Sequence, residues 1–278
     1  MKKATGNVFI ALIYILLYAP LLVMVFFSFN SAKSTSVFQG FSLKWYLELF
    51  EDRNIMEALK VTVSVAVIAT IVSTVLGTLA AVGIHAMKKG WANLALNVSY
   101  LPMTLPDIVT GVSLMLLFVA VITFMNQAFD AQLKMGFGTL LIAHITFNIP
   151  YVILQVMPKL RQMDKHLYEA AIDLGCTPLR AFFRVVIPEI LPGVFTGALM
   201  AFTLSLDDFV ISYCTAGSGA QTLSVTIYSM VRRRVTPEVN AVSTLLFGSV
   251  LLLLIIINVM QIHSENKLKK EERRVRAR

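Results

Sequence analysis

The sequence is short of charge. Asp, Glu, Lys and Arg make up only 14% of its 278 residues, where a soluble domain carries about a quarter, and its mean hydropathy is +0.74. A chain this apolar cannot clothe a water-facing surface, which excludes an ordinary soluble enzyme and makes the bilayer its main solvent. Two cysteines, Cys176 and Cys214, exclude a disulfide framework, and with the four histidines they match no zinc spacing. There is no Gly-x4-Gly-Lys-Ser/Thr loop, and no polar segment is long enough for a nucleotide-binding domain. ATP hydrolysis tied to this chain must come from another polypeptide. No cofactor and no nucleic-acid partner are expected.

What is present is a set of long hydrophobic runs. Residues 7–29, 61–84, 135–158 and 239–262 contain no Asp, Glu, Lys or Arg, and each is long enough to cross a hydrocarbon core of about 30 Å. A further run, 91–124, holds Pro102, Pro106 and Asp107 and is too long for one straight crossing, which predicts a break or an interfacial stretch near the prolines. The sixth starts near Ile190 and ends near Tyr213, carrying Asp207 and Asp208. The first run lacks a clear small-x-small cleavage site before Ser31-Ala32-Lys33 and reads as an uncleaved helix. The expected architecture is an all-α membrane domain of six helices over 1–262, with a basic tail at 263–278 near anionic lipid. Ala69, Ser73, Gly77 and Ala81 recur every four residues, a stripe that lets helix backbones approach closely.

Basic residues orient the chain. Lys2, Lys3, Lys88, Lys89, the cations between Lys159 and Arg184, and those of the tail all fall on one side of six crossings. That side is expected to be cytoplasmic, with both termini on it. Arg232, Arg233 and Arg234 run against the tendency, on the outer side.

The loop at 159–188 lies on the basic side. Leu167, Ala170, Ala171 and Leu174 form one apolar side of a short helix, and Gly175 ends it. Thr177 and Pro178 then suit the N-cap and first position of a second helix that runs through Leu179, Phe182 and Phe183 toward Pro188. Glu169-Ala170-Ala171, the glycine six residues after Glu169, and Pro188 resemble the EAA loop of bacterial ABC importer permeases, with Val185 where Ile is usual and Ile187 where Leu is usual. The resemblance implies a type I importer permease whose Glu-Ala-Ala helix docks in a cleft of an ATP-binding cassette ATPase dimer. That coupling role would fall to Glu169, Ala170, Ala171, Gly175 and Pro188.

Acids inside spans are costly and usually face a pore or a partner, which singles out Asp207, Asp208 and Asp107. On a helix starting near Ile190, Asp207 would lie toward the outer face, with Phe202, Phe209 and Tyr213 offering aromatic faces to a cation. The same aspartates could instead cap a helix break or pair with a cation of a second subunit, and Asp107 after Pro106 could be a first-turn residue favoured by the helix dipole. His144 reads as a hydrogen-bonded core histidine.

Leu204-Ser205-Leu206-Asp207-Asp208-Phe209, His144-Ile145-Thr146-Phe147, Leu105-Pro106-Asp107-Ile108-Val109 and Ile227-Tyr228-Ser229-Met230-Val231 look like spermidine/putrescine importer permeases, a similarity that covers nearly the whole chain. It implies three partners: a second related permease, a homodimeric ATPase and a periplasmic polyamine-binding protein, the last meeting the outer segment 216–238. Two other readings stand beside it, an importer permease of the same family for another solute, and a channel or intramembrane enzyme. The last needs a catalytic pair, and adjacent Asp207 and Asp208 on one helix would point about 100° apart.

Overall fold

A computed structural model of the chain describes residues 2–32, 37–233 and 236–276. Arg234, and the side chains of the basic tail, lie outside the described residues. In chain order the helices are α1 (Lys2–Ser28), α2 (Lys44–Glu51), α3 (Arg53–Ala86), α4 (Lys89–Thr104), α5 (Asp107–Phe129), α6 (Phe137–Gln162), α7 (Lys165–Asp173) and α8 (Pro178–Ala181). A π-helical turn (Phe182–Val186) leads into α9 (Ile187–Asp207), followed by α10 (Val210–Thr215), α11 (Leu223–Arg233) and α12 (Pro237–Arg276). Extended pairing among the described residues is one isolated bridge, Asn30 to Phe41.

Six stretches among the described residues are long and apolar enough to cross a membrane: Gly6–Ser28, Arg53–Ala86, Asp107–Phe129, Phe137–Gln162, Pro178–Asp207 and Pro237–Ile256. The long run expected over 91–124 is indeed broken. Leu105 leaves the helix with ψ near 146° and Pro106 starts the next one, because a residue preceding proline is pushed out of the helical region.

Two boundaries differ from expectation. The sixth predicted run begins at Pro178 rather than near Ile190, since α8, the π-turn and α9 form one uninterrupted helix. Pro188 has no N–H to give the Arg184 carbonyl, and the turn before it widens so that the Ile187 N–H reaches back to Phe182 O. The same run ends at Asp207 rather than near Tyr213, because Asp208 turns out of the helix at ψ 127°.

The chain divides into two compact units, Met1–Glu57 with Thr226–Arg278, and Ala58–Val225. In the first, α12 packs against α1 and α2. Fully buried Asn30 closes the chain after α1: its Nδ2 donates to Val37 O at 2.8 Å, and its Oδ1 accepts from Gln39 N at 3.0 Å. Trp45 Nε1 donates to the Asn30 carbonyl at 2.7 Å, and Phe29 stacks between Phe41 and Tyr46.

In the second unit α6 is the central helix, packed most extensively on α9. The α3 stripe of Ala69, Ser73, Gly77 and Ala81 is buried throughout, as its spacing predicts. A second stripe on α9, Gly193, Gly197, Ala201 and Ser205, is buried in the same way. A Cβ at Gly193 would sit 2.8 Å from Gln155 O and one at Gly197 3.3 Å from Val152 Cα, so the two helices touch backbone to backbone. Gly193→Val should therefore lower the melting temperature of the detergent-purified protein by several degrees, overpacking of this kind costing about 1–3 kcal/mol. An unchanged melting curve would contradict this packing.

Candidate functional site

Two sites can be built within the second unit. The first is the helical hairpin at 164–188. Asp164 caps α7, its Oδ1 accepting from His166 N at 3.0 Å. At the other end Gly175 takes φ +85°, with Gly175 N donating to Ile172 O at 2.8 Å and Cys176 N to Ala171 O at 3.0 Å. That pair of bonds is a Schellman motif, and it depends on a residue that tolerates the left-handed region. Pro178 then opens α8 at its first position, after Thr177 in extended conformation.

The faces of α7 divide differently from the sequence expectation. Ala171 is buried and Tyr168 packs on the core cluster around Met157, Leu160 and Val186. Leu167, Ala170 and Leu174, expected with Ala171 on a single apolar side, are exposed instead, Leu174 at 86%. Tyr168 and Ala171, three residues apart, lie about 60° from each other around the helix and form one narrow seam that seats it, while Leu174 lies about 120° from Tyr168, beyond that seam. Glu169 is also on the outer face, its carboxylate 3.4 Å from His166 Nδ1. Leu179 and Phe183 add to this surface at 72% and 64% exposure. Pro188 is exposed too, in the first turn of α9.

The second site is a polar seam between α6, α9 and α10. Asp208 accepts from two amides of α10, Ser212 N at 2.7 Å and Ile211 N at 3.3 Å. His144 of α6 brings Nε2 to 3.6 Å from Asp208 Oδ2 and to 3.1 Å from Ser212 Oγ. His144 is buried and hydrogen-bonded, as expected of a core histidine. One helical turn on, buried Asn148 donates from Nδ2 to Ser205 Oγ at 2.7 Å, while its Oδ1 is buried with no hydrogen-bond partner. Asp208 thus has the geometry of the alternative reading, a cap on a helix break. The physical reason is that the first amides of α10 have no intrahelical acceptor, and an Asp just outside the helix supplies two oxygens.

The other predicted path residues are placed around this seam without converging on it. Asp207, the last residue of α9, is exposed. Phe202 is half-buried on α9. Tyr213 is exposed on α10 and lies 5.6 Å from the Phe209 ring, centroid to centroid. Asp107 is exposed in the first turn of α5 with Pro106 as N-cap, the dipole-favoured position. Sequence reasoning missed Asn148, Ser205 and Ser212. The signal for Asn148 was available, since an amide inside a span free of charged residues needs a partner.

Six helical stretches long and apolar enough to cross a bilayer, with a capped hairpin and a polar seam at a helix break, define a multi-pass membrane protein. A family model described as "Binding-protein-dependent transport system inner membrane component" matches residues 73–270. The chain belongs to this family, and is therefore an inner-membrane permease of an ABC importer and not itself an enzyme. It is 42% identical over 236 residues to the putrescine transport system permease protein PotI of Escherichia coli (strain K12), covering 84% of this chain and 82% of that protein. It is 34% identical over 240 residues to the spermidine/putrescine transport system permease protein PotC of Haemophilus influenzae, covering 86% of this chain and 90% of that protein. A bacterial ABC transporter involved in the import of the acidic polysaccharide alginate shares the fold at a TM-score of 0.69 and 16% identity, over 94% of this chain and 95% of that one.

Proposed function

We propose that this chain is a permease subunit of an ATP-driven polyamine importer, lining half of the translocation path and taking its energy from a separate ATPase. The observation that carries the solute is the identity of 42% to a permease named for putrescine, together with 34% to one named for spermidine and putrescine. A flexible polycation suits a path of separated carboxylates and aromatic faces, which replaces its hydration stepwise without one deep trap. Asp207 is the candidate contact, exposed where α9 ends, with Asp107, Phe202 and Tyr213 as further wall positions. Asp208 serves as the positioning group that holds α10.

In this reading both termini and the 164–188 hairpin are cytoplasmic, and the exposed face of Glu169, Ala170, Leu174 and Leu179 meets an ATP-binding cassette dimer. A second permease completes the path, and a periplasmic polyamine-binding protein delivers solute to the outer side.

Radiolabelled uptake in cells lacking their own polyamine importers tests the solute. Spermidine or putrescine should be accumulated and should compete with each other, and unrelated cations should not compete. Uptake of neither would retire the polyamine assignment in favour of another solute. Asp207→Asn should reduce uptake about two- to fivefold at subsaturating polyamine, the weight of one exposed charge contact, with unchanged protein in the membrane. Unaltered uptake kinetics would remove Asp207 from the path.

A further inference from the structure

A groove of about 330 Å³ lies between the C-terminal half of α6 and the end of α4, lined by Tyr100, Leu154, Met157, Pro158, Arg161 and Gln162. It is separate from the polar seam, and shares with the hairpin only the core cluster of Met157, against which Tyr100 and Tyr168 both pack. Its α6 members follow the spacing of a single helical stripe, apolar at Leu154 and Met157 and polar at Arg161 and Gln162 where the span Phe137–Gln162 ends. The groove is therefore graded, greasy toward the membrane and cationic at its boundary.

Two features ask for a ligand. Arg161 is exposed where the span ends and makes no ion pair or hydrogen bond among the described residues, and the Tyr100 hydroxyl lines the same groove as a second donor for an anion. Pro158 has no N–H to offer the Leu154 carbonyl one turn before it, so an acceptor on the groove wall lacks its helical donor. An occupant must bring negative charge to Arg161, a donor to the wall and an apolar body for Leu154 and Met157.

We infer that this groove is a binding site for an anionic phospholipid, whose phosphate lies against Arg161 and the Tyr100 hydroxyl while an acyl chain follows Leu154 and Met157. A hydroxylated head such as glycerol also supplies a donor for the Leu154 carbonyl. Charge complementarity favours lipid over a neighbouring protein: a guanidinium at the end of a span meets the phosphate layer of the bilayer, where one basic residue contributes about 1 kcal/mol. The site is independent of the solute carried.

Native mass spectrometry of the intact transporter, purified from membranes in detergent, tests it. Phosphatidylglycerol should remain bound to the wild type in preference to phosphatidylcholine. Arg161→Gln should reduce that retention about fivefold, Tyr100→Phe should reduce it less, and Arg161→Lys should recover part of it. Inorganic phosphate at about 10 mM should leave it unchanged, since phosphate lacks the apolar body that the groove also holds. Equal retention of the two lipids, or displacement by phosphate alone, overturns the proposal. So does loss of subunit association in Arg161→Gln with lipid retention unaltered, which would assign the groove to a neighbouring permease.

Discussion

Gly175→Val is expected to abolish ATP-driven uptake while leaving the protein in the membrane at close to its normal amount. A β-carbon at Gly175 meets nothing within 4 Å, so the substitution creates no clash. Its effect is conformational: the residue sits at φ +85°, and leaving the right-handed region costs an L-residue roughly 1–2 kcal/mol, more when it is β-branched. The chain escapes that cost by giving up the two bonds that turn it after α7, from Gly175 N and Cys176 N. The outer face of α7 would then swing away from the position in which an ATPase could grip it. Glu169→Lys makes the complementary test, since it inverts a charge on the same face with only an exposed contact to His166 at stake. Membrane levels and uptake should be measured together for both variants. Normal uptake in both would remove the hairpin from coupling.

Asp208→Ala should have a different outcome, loss of the folded protein itself. The carboxylate accepts from Ser212 N and Ile211 N and stands 3.6 Å from His144 Nε2, with only 10% of its side chain exposed. Truncating it leaves two amides without their acceptor, at about 1–3 kcal/mol for each buried donor left unsatisfied, while His144 keeps its contact to Ser212 Oγ. Asp208→Asn keeps one acceptor oxygen in place and should be milder. The measurements are the amount of protein in membranes and its melting temperature in detergent. If Asp208→Ala protein were present and thermally normal but inactive in uptake, Asp208 would instead belong to the path.

The spans were legible because an absence of charge is written across twenty or more residues at a time, too long a signal for local chemistry to blur. The break near Pro106 was legible for a different reason, a proline acting on the residue before it. The break at Asp208 was not. Leu206-Asp207-Asp208-Phe209-Val210 sits inside an apolar run, and residue type alone does not say which of two adjacent aspartates turns out of the helix to cap the next one. The hairpin's glycine stop and proline start were read from residue types, yet the burial of Ala171 beside an exposed Ala170 depends on which side of α7 meets the core. The pairing of Asn148 with Ser205 spans 57 residues, a separation that no local pattern encodes.

The widened turn at Phe182–Val186 carries a mechanical consequence. Because α8, the π-turn and α9 form one uninterrupted helix, a displacement of α8 carries the start of the span with it. The extra residue in that turn sets the phase between the two, about 100° for each position added or removed. A single inserted amino acid thus fixes which side of α9 lies in line with the exposed Leu179 of the hairpin.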